Sequence, residues 1–373
     1  MSKSYLGAAG VAAVALLLAA CGSSSGGSSS SSATSSGSGA TTGKVGVILP
    51  DATTSPRWES SDRPSLQKAF DAAGYTYDIQ NATKDVTKFS SICDAMIAEK
   101  VNVLMIVNLD SASGAACESK AKAAGIPSID YDRLTLNGDA TYYVSFDNVQ
   151  VGKLMGQGLV DCLTTAGKTK ANVAEVDGDP TDNNAKLFAQ GYNGVLQPYF
   201  ADGSYIKVGE PAGTWDPPTA QTTFQQQYTA HPNINAVVTP NDDNANAVIS
   251  VLKGQNIPPN TFPTTGQDAS TPGLQNILTG YQCGTVYKPI YLEAQAAAAL
   301  ALFLRAGITP PAALANATTQ DTVLNKAIKS VYTTPLWVTT ENMASTVVKD
   351  GAAKADKLCA GAAASACAAA GIK

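Results

Sequence analysis

Apolar residues along this chain fall into short continuous runs separated by longer stretches of helical spacing. Lys44-Val-Gly-Val-Ile-Leu49 is the first run, and a loop with Pro50, Asp51 and Pro56 ends it. A helical stretch over 63–73 closes at Gly74, and a strand over 75–79 and a helix over 86–99 follow. The apolar strand Val101-Asn-Val-Leu-Met-Ile-Val107, a helix over 111–124 and the strand Pro127-Ser-Ile-Asp-Tyr131 complete this round. Apolar runs of this kind alternating with helices predict a parallel sheet covered on both faces.

A second round starts at Phe146-Asp-Asn148. It predicts a helix to Leu163, a strand over 171–177, a helix over 184–196, a strand around Ile206 and a helix over 220–230. The strand Asn235-Ala-Val-Val-Thr239, a helix over 244–252 and the strand Gly284-Thr-Val-Tyr287 end it. The fold class is therefore α/β, with two doubly wound parallel-sheet lobes. Ligands of such sheets bind beyond the carboxyl ends of the strands, which points to the cleft between the lobes. The strand ends are polar: Pro50-Asp51, Asn108-Leu-Asp110, Tyr131-Asp132-Arg133, Asp177-Gly-Asp179, Asn241-Asp242 and Gly266-Gln267-Asp268. Helix capping accounts for Asp110 and Asp243. It accounts less well for the unlike pair Asp132-Arg133, or for Trp215 in Gly-Thr-Trp-Asp-Pro-Pro.

Ahead of the first strand, Lys3 precedes an apolar run from Gly7 to Ala20 that is too short to span a bilayer comfortably. It reads as a secretory signal peptide. The 22 residues from Gly22 to Gly43 are all Gly, Ser, Ala or Thr, a composition expected of a flexible tether. Leu18-Ala-Ala-Cys21 at their boundary resembles the bacterial lipobox, which implies that Cys21 is acylated and becomes the mature N-terminus.

Charged residues make up only 15% of the chain and the formal net charge is -5, with no Lys/Arg cluster, so a nucleic-acid partner is not expected. Of seven cysteines, six remain once Cys21 is given to lipid. An even number in an exported chain favours disulfides, although the connectivity is open on the sequence alone. Local geometry suggests Cys93 with Cys117, on helices expected side by side. It also suggests Cys359 with Cys367 in the Ala-rich tail, leaving Cys162 for Cys283. No Cys/His spacing suits zinc, and Asp177-Gly-Asp179-Pro-Thr-Asp182 lacks the mid-loop Gly and the Glu of a calcium loop. The single His231 has no evident nucleophile partner, and Gly152-Lys-Leu-Met-Gly156-Gln-Gly158 lies in a helical pattern without P-loop spacing.

Acids, amides, Arg and Trp facing a cleft suit a neutral polyhydroxylated ligand. Each hydroxyl both donates and accepts, and flat rings cover the C–H faces. Trp58 and Trp215 lie in expected loops and are candidates for those rings, whereas Trp337 is expected to fill a core.

Taken together, Ser55-Pro-Arg-Trp58, Tyr131-Asp-Arg-Leu134, Val144-Ser-Phe-Asp-Asn-Val-Gln-Val-Gly152, Thr181-Asp-Asn-Asn-Ala-Lys-Leu-Phe188, Thr214-Trp-Asp-Pro217, Gly266-Gln-Asp-Ala269 and Thr285-Val-Tyr-Lys-Pro289 carry a resemblance. In this order the chain resembles the periplasmic-binding-protein-like (type 1) solute-binding lipoproteins of sugar ABC importers, nearest to the D-xylose and multiple-monosaccharide binders. The resemblance runs from Lys44 to about Gly351. It implies a three-crossing hinge near Asp147, after Lys288 and near Pro335. The implied division is a signal over 1–20, a tether over 21–43, a first lobe of 44–147 plus 289–334, a second of 148–288 plus 335–350, and a tail over 351–373.

By the same similarity, Arg57, Trp58, Asp132 and Arg133 would meet the sugar from the first lobe. Asp182, Asn183, Asn184, Trp215, Asn241, Asp242 and Asp268 would meet it from the second, with Lys288 near the hinge and Asn148 at the first crossing. Xylose-specific members carry Arg three residues before the match of Arg57, where this chain has Thr54, and Trp-Asp-Pro looks more like the broader binders. The expected activity is capture of a monosaccharide, xylose favoured, and delivery to a membrane permease. The protein is expected to act without a cofactor, as a monomer lipid-anchored on the outer face of the bacterial cytoplasmic membrane. The alternatives are a surface glycosidase and a sugar co-receptor for a signalling system.

Overall fold

A computed structural model describes residues 43–373. The expected signal peptide, Cys21 and all of the expected tether but Gly43 lie outside the described residues. The first lobe begins with β1 (Lys44–Leu49), α1 (Arg63–Ala72), β2 (Thr76–Asn81), α2 (Val86–Ala98), β3 (Val103–Ile106), α3 (Ser111–Ala123), β4 (Ser128–Tyr131) and β5 (Tyr142–Phe146). These strands pair in parallel in the order β5-β4-β3-β1-β2. Side chains alternate across the sheet, so the apolar runs serve both faces. Val45, Val47 and Leu49 meet Leu66 and Phe70 of α1, whereas Ile48 joins Phe89, Ile92 and Met96 of α2.

The chain then crosses into α4 (Asn148–Thr165), β6 (Ala171–Glu175), α5 (Asn183–Ala201), β7 (Tyr205–Gly209), α6 (Pro217–Ala230), β8 (Ala236–Val238), α7 (Asp242–Gly254), α8 (Thr271–Leu278) and β9 (Thr285–Tyr287). The parallel order is β7-β6-β8. Single bridges Val237↔Thr264 and Gln267↔Val286 carry it on to β9. A second crossing leads to α9 (Ile290–Arg305), whose alanines pack on the first-lobe sheet, and to the hairpin β10 (Ala317–Asp321) and β11 (Lys326–Thr333). β11 lies parallel to β5, and β10 antiparallel to β11 at the edge. A third crossing returns to β12 (Leu336–Val338), antiparallel to β9. The architecture is thus two α/β lobes joined by three crossings. Among the described residues no helix is long and apolar enough to cross a membrane.

Several elements differ from the sequence expectation. β5 was not foreseen, because only Asp147 separates it from α4 and the pattern has no break there. Trp58 opens a π-helical turn, Trp58–Asp62, instead of lying in a loop. Asp110 caps α3 by accepting from Ser113 N, but Asn241, not Asp243, caps α7. Residues 351–373 do not stand apart: Leu358, Ala363, Cys367 and Ile372 are buried with Leu274, Ile277 and Leu278 of α8. The disulfides are Cys93–Cys117, Cys162–Cys283 and Cys359–Cys367, the pairing that local geometry suggested. Trp337 joins the second-lobe core as a partly buried ring.

Helices α4 and α5 cross where both backbones are bare. A Cβ on Gly152 would sit 2.1 Å from the Phe188 carbonyl oxygen, and one on Gly191 2.3 Å from that of Val149. Backbone cannot yield as a side chain can, so Gly152→Ala is expected to destabilise the protein by about 1–3 kcal/mol, an overpacking cost. Urea unfolding monitored by circular dichroism measures it. An unchanged midpoint would mean that the helices are free to separate.

Candidate binding cleft

Arg57 leaves the loop after β1 and is nearly buried. Its Nε and Nη2 donate to the two oxygens of Asp62 at 3.0 and 2.9 Å, a bidentate pair within the first lobe. Nη2 also lies 3.0 Å from Asp132 Oδ2, and Nη1 3.6 Å from Asp268 Oδ1 across the cleft. Trp58 stacks under the guanidinium at 4.3 Å and is 2% exposed. Burial works against the charge of Arg57, but Asp132, Asp62 and Asp268 outweigh it and hold its pKa above the usual arginine value.

Asp132 sits just past β4 with φ of 62°, a left-handed backbone uncommon outside glycine. The surroundings fix it there. Its N–H donates to Val144 O, and its carbonyl accepts from Tyr143 Oη, Ser145 Oγ and Asn184 Nδ2 at 2.8–2.9 Å. Burial opposes its ionisation, yet Arg57, Lys288 and Arg133 keep its pKa below the ordinary carboxylate range. Arg133 reaches over to the second lobe, where its Nε lies 2.9 Å from Asp182 Oδ2.

Asp182 caps α5, with Oδ1 accepting from Asn184 N, while Oδ2 also accepts from Trp215 Nε1 at 3.1 Å. Burial raises its pKa in spite of Arg133. The Trp215 ring lies over Gly178, where a Cβ would come within 2.3 Å of it, so only glycine leaves room. Asp268 also has a left-handed backbone, with φ of 89°, and its N–H donates to Val286 O. Lys288, 3% exposed at the second crossing, places Nζ 3.0 Å from Asp268 and 3.9 Å from Asp132.

These groups enclose about 300 Å³ of empty space, part of it open to solvent. It is lined by Ser55, Arg57, Trp58, Asp132 and Arg133 on one side, Asp182, Asn184, Phe188, Trp215, Asn241, Gln267 and Asp268 on the other, and Lys288 at the hinge. Three cations face three carboxylates. Two lining atoms, Trp58 Nε1 and Gln267 Oε1, are buried without a partner and offer a ligand one donor and one acceptor.

Ten of the thirteen sequence candidates therefore meet in one cavity. Three do not. Asn148 is buried behind the wall, donating to Tyr143 Oη and Asn184 Oδ1, and so orients Asn184. Asn183 follows the cap of α5 and is not part of the lining. Asp242 is turned inward, accepting from Gln282 Nε2, Thr285 Oγ1 and Ser270 N. Burial pushes its pKa up to about 7. Conversely, Ser55, Phe188 and Gln267 line the cavity without having been singled out. Each belongs to a motif quoted above, but neither hydroxyl, ring nor amide carried a signal of its own. Outside the cavity, Glu175, Asp177 and Glu210 gather as a possible cation site among the described residues, but Lys207 Nζ already lies 2.8 Å from Glu175 and 2.6 Å from Glu210.

A family model described as periplasmic binding protein domain matches residues 45–308. The chain is 35% identical over 320 residues to the D-xylose-binding periplasmic protein of Escherichia coli (strain K12), covering 84% of this chain and 92% of that one. It is 33% identical over 338 residues to a multiple sugar-binding periplasmic receptor of Rhizobium radiobacter, covering 86% and 93%. Among solved structures, a carbohydrate transporter solute binding protein from Chloroflexus aurantiacus in complex with D-glucose superposes with a TM-score of 0.76 at 29% identity, over 84% of this chain and 97% of that one.

The inward place of Asp242 has a measurable consequence. Asp242→Ala removes the acceptor of three hydrogen bonds, leaving Gln282 Nε2 only Gly284 O, which is expected to cost about 2–4 kcal/mol of stability in urea unfolding. Wild-type stability in this variant would mean that the carboxylate is not what holds Gln282, Thr285 and Ser270.

Proposed function

We propose that this chain, which belongs to the periplasmic binding protein domain family, is the extracytoplasmic sugar-binding component of an ABC importer. It closes its two lobes on a monosaccharide and hands it to the membrane permease. The observation that carries this reading is the cavity itself, with three cations balanced by three carboxylates between Trp58 and Trp215. Such a lining has no net charge to offer a phosphate, a sugar acid or an amine. It has carboxylates to accept from hydroxyls, guanidinium and ammonium groups to donate to them, and indoles for the C–H faces. Opening the cleft would separate Arg133 from Asp182, and Arg57 and Asp268 would part with it. A ligand reaching both lobes would therefore favour the closed form.

D-xylose is the favoured ligand, in keeping with the relatives named for it. Thr54 leaves room for breadth, since its hydroxyl turns to Asp51 Oδ2 at 2.5 Å and the residue does not line the cavity. The relatives are named as binding proteins and receptors, which supports a carrier over a glycosidase. Acylation at Cys21 would tie the domain to the outer face of the membrane through the Gly/Ser tether.

Calorimetric titration with D-xylose, D-glucose and a sugar acid tests the reading. One neutral monosaccharide is expected to bind one to one. At about 100 times its dissociation constant it should add roughly 2.7 kcal/mol of stability. Absence of binding by every neutral pentose and hexose would overturn the function. Trp215→Ala is expected to weaken sugar binding by about 2–4 kcal/mol, since stacking and apolar burial are lost together. A change of less than twofold would remove Trp215 from the site.

The anchor is tested separately. Cys21→Ser should release the protein from membranes without altering the sugar affinity of the folded domain. Mass spectra of native protein with an unmodified Cys21 would rule the anchor out.

A further inference from the structure

Under the cavity lies a carboxyl group that the sugar reading does not use. Glu293 is on the first turn of α9, five residues after Lys288 and directly beyond the second crossing. Its side chain is 0% exposed, and neither carboxyl oxygen has a hydrogen-bond partner. Oε2 lies 3.8 Å from Arg57 Nη2. That nitrogen already donates to Asp62 Oδ1 at 2.9 Å and lies 3.0 Å from Asp132 Oδ2. Both carboxylates are nearer to it than Glu293 is.

The groups that face Glu293 come from several elements. Arg57 and Asp62 come from the segment after β1, Tyr131 and Asp132 from the end of β4, Tyr143 from β5, and Lys288 from the crossing. Tyr131 Oη donates to Asp62 Oδ1 at 3.1 Å. Asp62, Asp132 and Asp268 already bring three carboxylates to Arg57 and Lys288. An ionised Glu293 would set a fourth negative charge against two positive ones where water is excluded, the costliest place for it.

We propose that Glu293 is a positioning residue for the cavity: from the hinge helix it backs Arg57 and keeps the guanidinium turned onto Asp62, Asp132 and, across the cleft, Asp268. It does so as the uncharged acid. Burial, and then the charge of Asp132, hold its pKa well above the ordinary carboxylate range against the pull of Arg57. Because α9 packs on the first-lobe sheet that also carries Arg57, Glu293 stays behind the guanidinium when the lobes move. This inference rests on the cavity being the sugar site.

The sign of the pH effect follows from linkage. An acid whose folded pKa is raised contributes stability that is complete below its unfolded pKa and is lost as pH rises through the folded one. Glutamine mimics the protonated acid and escapes that loss. Melting temperatures of sugar-free wild type and Glu293→Gln, compared between about pH 5 and 8, should show the variant gaining on wild type as pH rises. Glu293→Ala should weaken sugar binding about tenfold, and Glu293→Gln should restore most of it. A difference that stays flat with pH would reveal an ionised pair with Arg57, whose titration lies below this range, and would overturn the proposal. So would a Glu293→Gln protein that loses ground as pH rises, or wild-type affinity in Glu293→Ala. A wild type that binds no sugar would fail the proposed function, while the melting series, run without sugar, still decides the state of Glu293.

Discussion

Burying a guanidinium between two bodies that can move apart demands that its charge be matched on every side, and Arg57 imposes that demand on the whole cleft. Taking such an ion out of water costs several kcal/mol, and removing one partner of a buried pair typically costs about 3–5 kcal/mol. The partners of Arg57 come from three places. Asp62 belongs to its own turn, Asp132 to the end of β4, and Asp268 to the second lobe. Lys288 then shares Asp132 and Asp268, and Arg133 answers Asp182. Closure without a ligand is held by these pairs. Only two of them cross the cleft without the hinge lysine, Arg57 with Asp268 and Arg133 with Asp182, and these are the pairs that opening would break.

The two acids of this network that matter most are set by backbone. Asp132 and Asp268 both have φ above 60°, a conformation that costs a non-glycine residue about 1–3 kcal/mol. The sheets hold them there. The N–H of Asp132 is tied to β5 through Val144 O, and that of Asp268 to β9 through Val286 O. β5 and β9 are also the strands from which the first two crossings leave. The side chains that meet the cleft and the segments on which it would open are therefore supported by the same strands.

Much of the fold was legible because apolar runs in a doubly wound sheet are continuous and their helices are not. Val45-Gly-Val-Ile-Leu49 and Val103-Leu-Met-Ile106 could be read directly. The Tyr142–Phe146 strand could not, for it passes into α4 across one residue. At the cleft, charge and aromaticity pointed to Asp132, Arg133, Asp268, Trp58 and Trp215, while Arg57 came only with the motifs of the resemblance. They misplaced Asp242, since an acid at a strand end reads alike whether it faces the cleft or caps a buried cluster of Gln282, Thr285 and Ser270. Gln267 was missed beside Asp268 because a lone amide has no pattern, and its role depends on an oxygen left unpaired.

By itself the sequence determined the α/β alternation, the two rounds, the polar strand ends and, through ordered motifs, the resemblance to sugar binders. These depend on neighbours along the chain, where residue type and spacing are enough. Which acid serves which cation was decided only by the tertiary structure. Arg57 and Glu293 are 236 positions apart, yet their side chains lie 3.8 Å from each other. A side chain's partner and charge state depend on the water removed around it, and only packed elements remove that water.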